Sequence, residues 1–153
     1  MTNATIEIRG LDALQRKLGA GARPIIRVVI KGVAEALRDA IAEYPGPVSY
    51  PIQWTSPAQR AAYHAKRQGL GPYVRQTDPF SRRLGESWHT ELRGDTEAVV
   101  GSGDVPYARW VQSAEQQQPM HAATGWTTDE EAVEKVEQSR AAERLLESAI
   151  SKW

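Results

Sequence analysis

The chain has 153 residues, 41% apolar and 25% charged, with no cysteine and with nineteen Lys/Arg balancing nineteen Asp/Glu. That length accommodates one domain with a real core and is short for two, and the missing thiols exclude disulfides, thiolate nucleophiles and Cys-ligated metal centres. MTNATIEIRG lacks a charged-then-apolar export signal, and no run approaches the roughly 18 apolar residues of a membrane span, so the expectation is a soluble chain that is not conventionally exported.

Residues 3–9 alternate loosely, as a short strand does, and Gly10 breaks them. Leu11, Leu14 and Leu18 then fall at helical spacing, with Gly19 and Gly21 ending that short helix. Pro24 suits the first turn of a second, longer helix, where N–H groups have no partner anyway. Its stripe (Ile26, Val29, Ile30, Val33, Leu37, Ala40, Ile41, Tyr44) predicts a helix to about Tyr44, stopped by Pro45, Gly46 and Pro47. Ile25 and Val28 lie off the stripe, which predicts cover on a second side of its N-terminal half.

Residues 45–86 form a long connection punctuated by six prolines, read as an arm inserted into a single domain spanning 1–153. Inside it, Ser56 as cap, Pro57 as first residue and Gly69 as stop predict a helix of about three turns that docks lightly. From Ser87 the period changes. SWHTELRG and TEAVVGSG flank a Gly94–Asp95 turn, a hairpin with Trp88, Thr90 and Leu92 on one face. PYARWVQ reads as a short helical or irregular turn, and the polar SAEQQQ and PMHAATGW follow. Thr128 with Glu131 forms a capping box for a final helix to about Lys152. Its apolar stripe is interrupted near Ser139–Arg140, which predicts a solvent-facing first half and a docked second half. The fold expected is α+β: a small, mostly antiparallel sheet packed by a long N-terminal helix and a C-terminal helix, with the Pro-rich arm.

Charge is zero overall but uneven. Residues 52–93 hold seven Lys/Arg against three acids, and residues 94–137 hold nine acids against Arg109 and Lys135. Opposite local excesses suit self-association, one copy's basic surface meeting the next copy's acidic surface, as well as they suit two solvated faces. Five Trp and five Tyr carry nearly all the aromatic content, and Trp, Tyr and Arg are the residues enriched at protein interfaces.

Motifs for catalysis are sparse. His64, His89 and His121 fall in no metal-binding frame, and no nucleophile elbow or phosphate loop occurs. Asp95, Glu97 and Asp104 are the one carboxylate set that a divalent-metal nuclease site would use, but without a companion lysine in the strand frame. Nucleic-acid binding by a basic segment at 56–75, through Arg60, Lys66, Arg67, Tyr63 and Tyr73, is the alternative that the bases with interleaved aromatics support. No catalytic residue, metal or cofactor is assigned.

Several segments in order resemble the tail-completion, or head–tail joining, proteins of tailed bacteriophages: GLDALQRKL, the long helix ending before a proline, WTSPAQRAAYHAKRQGLGPYVRQTDPFSRRLGESW, VVGSGDVPYARWVQ, and QQPMHAATGW with the C-terminal helix. The run Gln76–Ser81 is longer than the family's usual spacing before Leu-x-x-Ser-Trp. The resemblance implies a non-catalytic virion protein that is assembled in the host bacterial cytoplasm. It would form a homo-oligomeric ring at the neck, with portal-connector and tail proteins as neighbours, DNA passing through the channel without sequence-specific binding, and no membrane. Interface candidates are Trp54, Arg60, Arg75, Arg82, Arg83, Trp88, Tyr107, Trp110 and Trp126.

Overall fold

A computed structural model describes residues 3–7, 16, 19–46, 54–70, 74–75 and 83–152. The helix expected at 11–18, apart from the helical Arg16, and the run 76–81, Tyr73 and Arg82 lie outside the described residues. The chain divides into two compact units, Met1–Pro45 with Arg83–Trp153, and Gly46–Arg82. The second spans most of the segment read as an insertion.

In the first unit, β1 (Asn3–Glu7), β2 (His89–Arg93) and β3 (Glu97–Gly101) form an antiparallel sheet of order β1-β3-β2. Asn3 stands opposite Gly101 on one side of β3, and His89 opposite Gly101 on the other. The β2–β3 hairpin turns at Gly94, whose φ of +79° lies where a side chain would be strained. Central β3 is buried from Ala98 to Gly101, and its alternation directs Ala98 and Val100 into the main core.

Across that core lies α1 (Ala22–Ala42), preceded by a 3-10 turn at Gly19–Gly21. Its buried residues recur at intervals of three and four, from Ala22 through Ile26, Ile30, Ala34 and Leu37 to Ile41, and meet Trp88, Ala98, Val100 and Ala132. The buried stripe is wide because the helix is covered twice. The sheet takes one flank, and two C-terminal helices, α6 (Asp129–Gln138) and α7 (Ala141–Ser151), take another. Gly32 permits the close approach on that second flank: a Cβ there would lie 2.7 Å from Leu145 Cδ1. Ile25, seven residues before Gly32 and so on the same side, is buried, whereas Val28 stays 56% exposed.

The expected single helix from Thr128 to Lys152 is two helices. Arg140 adopts a left-handed conformation (φ 53°) between them, a geometry that costs an L-residue roughly 1–2 kcal/mol and that no continuous helix contains. Its first half is also docked and does not face solvent: Ala132 is fully buried, with Val133 and Val136 against the α1 core. The capping box is present, Thr128 Oγ1 accepting from Glu131 N–H (3.2 Å) while Glu131 Oε2 accepts from Thr128 N–H (2.9 Å). Thr128→Ala is expected to cost about 1 kcal/mol, read as a melting temperature lower by roughly 2–4 °C.

A second, smaller cluster of Leu84, Val105, Ala108, Val111 and Trp126 is closed by Tyr44 and Tyr107. It brings together α3 (Arg83–Ser87) and α4 (Ala108–Gln112), with Tyr44 just beyond the end of α1. The Tyr44 ring meets Trp126 edge-on at 4.7 Å, and its hydroxyl accepts from Gly85 N–H at 3.1 Å. A Cβ on Gly85 would collide with the Tyr44 ring and sit 3.0 Å from the Ala42 carbonyl. Gly85→Ala is therefore expected to cost about 2 kcal/mol, measured as a lower urea midpoint at unchanged slope.

The second unit contains α2 (Pro57–Lys66), capped as expected: Ser56 Oγ accepts from Gln59 N–H at 3.1 Å, and Pro57 opens the first turn. Not one of its ten residues is buried. Gly69, with φ of +84°, follows its end. Among the described residues, no helix is long and apolar enough to cross a membrane.

Candidate interaction surfaces

The short helix α4 decides which aromatic side chains are presented. Its five residues place Ala108, Val111 and Gln112 (i, i+3, i+4) inward, and Arg109 and Trp110 are thereby turned out. Trp110 is 42% exposed, with the Arg109 guanidinium over its ring at 4.7 Å from the centroid. The chain then returns past it: Gln118 N–H donates to the Trp110 carbonyl at 2.9 Å. Two residues on, Met120 is 52% exposed on α5 (Pro119–Ala122). Trp110, Arg109 and Met120 are thus exposed on two short helices that adjoin each other, and these residue types are over-represented at the centre of protein interfaces.

This surface rests on a rigid base made by glutamines. Gln112, fully buried, accepts from the Trp88 indole N–H at 3.1 Å and donates through Nε2 to the carbonyls of Ile41 and, at 3.4 Å, Thr127. One amide therefore joins the end of α1, the start of the hairpin and the segment before α6. Gln117 Nε2 donates to the carbonyls of Val111 (2.8 Å) and Trp126 (2.9 Å), fixing the loop that carries Met120. Asp129 Oδ1 accepts from Ala114 N–H at 2.7 Å and ties the same loop to α6. Sequence reasoning missed both glutamines. The only local signal was Gln112 at core spacing from Ala108.

The remaining candidates are dispersed. Trp88 and Trp126 are interior residues, in the main and the smaller cluster respectively, and neither is presented at the surface. Tyr107 is half-buried against the smaller cluster, and Arg83 is exposed at the start of α3. In the second unit Arg60 is exposed and Trp54 half-buried, while Arg75 is fully buried with its guanidinium 3.5 Å from the Gly46 carbonyl. Trp54 meets Tyr63 edge-on at 5.1 Å and His64 at 5.7 Å, and the Arg67 guanidinium lies 5.8 Å from the Tyr63 ring centre.

The carboxylate set considered for a nuclease does not assemble. Asp95 lies in the hairpin turn and Glu97 at the start of β3, whereas Asp104 follows the far end of that five-residue strand. Among the described residues, no three His, Asp or Glu side chains are grouped to hold a metal ion. No family model, no curated protein and no solved structure matches this chain.

Proposed function

We propose that this chain is an assembly protein of a tailed-phage particle, acting at the head–tail junction through protein–protein contacts and without catalysis. The observation that carries the reading is Trp110: a large aromatic ring held outward beside Arg109, with Met120 exposed on the adjoining helix, on elements braced by hydrogen bonds. A ring so placed is ready to enter a partner's pocket with little loss of side-chain freedom, the property of interface hot spots. The order of motifs across the sequence, which resembles tail-completion proteins, supplies the setting. Copies join head to tail in a closed ring, using two different surfaces of each subunit. Portal-connector proteins adjoin the ring on one side and tail proteins on the other, and the product resides in the virion.

The ring is tested by measuring mass in solution across a concentration series. A discrete multiple of the 16.9 kDa chain is the expected result. A single-chain mass at every concentration, with and without the connector and tail proteins, contradicts it.

A further inference from the structure

We infer that the Gly46–Arg82 unit carries a binding site for single-stranded nucleic acid, built on Trp54, Arg60, His64 and Lys66. Charge is the first argument. This unit holds five basic residues (Arg60, Lys66, Arg67, Arg75, Arg82) against one acid, Asp78, leaving fourteen basic and eighteen acidic residues elsewhere in a neutral chain. Residues 54–70 contain no acid at all. Overall neutrality argues against a broad cationic face, but within this unit Arg60 and Lys66 lie on one helix and Arg67 caps its end.

Geometry is the second argument. Because α2 buries none of its residues, core packing does not account for it. What organises it is an aromatic cluster. Trp54 lies against Tyr63 and His64, and those two rings meet edge-on at 5.4 Å. The cluster is pinned at its base, since Gln59 Oε1 accepts from both the N–H and the hydroxyl of Thr55 at 2.8 Å, next to Trp54. Arg60 and His64, four apart, share a side of the helix with Tyr63 and Arg67, and Arg60, His64 and Lys66 are all exposed.

Cations flanking preset aromatic rings match the two parts of an unpaired strand. Arg60 and Lys66 neutralise phosphates, while Trp54 and His64 offer ring faces to bases. A duplex keeps its bases stacked on one another and leaves such rings unused, so the single strand is favoured. Stacking is tolerant of sequence, so no base preference is expected.

The test uses the full chain and a fluorescent oligodeoxythymidylate, with fluorescence anisotropy as the readout. The oligonucleotide is expected to bind in preference to a duplex of equal length. With two phosphate contacts, affinity should fall about 7-fold between roughly 50 and 200 mM salt. Trp54→Ala should weaken binding roughly 5- to 100-fold, while Trp54→Phe retains most of it. Arg60→Gln with Lys66→Gln, both exposed positions, should flatten the salt dependence with circular dichroism unchanged. Absence of binding at low salt, equal affinity for duplex, indifference to Trp54→Ala, or equal displacement by polyglutamate, which would mark an acidic protein as the partner, overturns the inference. Trp110→Ala should leave oligonucleotide binding intact, which separates this site from the assembly surface.

Discussion

Trp110→Ala is expected to weaken subunit association at least roughly 30-fold, the equivalent of about 2 kcal/mol, while the melting temperature stays within about 2 °C of the parent. The two readings separate because of where the side chain lies. Trp110 is turned away from the core on α4, so its removal opens no cavity, and exposed substitutions of that kind change stability by about 0.5 kcal/mol or less. In a complex the same ring would be desolvated together with Arg109 and Met120. Arg109→Ala should have a smaller effect in the same direction, since the guanidinium over the indole helps to orient the ring. Sedimentation across concentration, run beside a thermal melt, measures both quantities. Unchanged association with the fold intact would remove Trp110 from the interface.

Gln112→Leu should do the reverse, lowering the melting temperature by roughly 6–12 °C, or about 3 kcal/mol. Leucine fills much of the same space but leaves the Trp88 indole N–H and the Ile41 carbonyl without their amide partner in the interior. An orphaned buried group costs about 1–3 kcal/mol, more than the net value of the bond it lost. Pairing the change with Trp88→Phe removes the stranded donor, so the two together should cost less than their sum. Strict additivity of the two losses would mean that the Trp88–Gln112 bond contributes nothing.

These two residues mark where the sequence could and could not be read. Helix α1 was legible because Pro24 and a long stripe of Ile, Val and Leu agree on the same element, and the observed Ala22–Ala42 differs from the reading by two residues at each end. The α2 cap and the Thr128–Glu131 box were legible because capping is a local bond between residues three apart. The division at Arg140 showed only as an interrupted stripe. Glycine or asparagine is the usual marker of a left-handed residue, and here an arginine takes that conformation.

Beyond its core spacing from Ala108, the role of Gln112 was not legible, because its partners Ile41 and Trp88 stand 71 and 24 residues away. Nor do the tryptophans differ by composition. Trp110 falls outside because of the phase of a five-residue helix, too short for a periodic pattern to reveal its buried side, whereas Trp88 and Trp126 lie on no helix and are buried by the clusters they join. The Trp54–Tyr63–His64 cluster joins α2 to a residue just before its cap, a contact that helical spacing alone does not specify.

The proposal of a role at the head–tail junction is tested most directly by electron microscopy and plating of a tailed phage that carries this gene, grown with that one gene disabled. DNA-filled heads lying separate from finished tails, with infectivity restored by adding the purified protein but not its Trp110→Ala variant, is the result expected. Joined, infective particles in its absence would contradict a role at the head–tail junction.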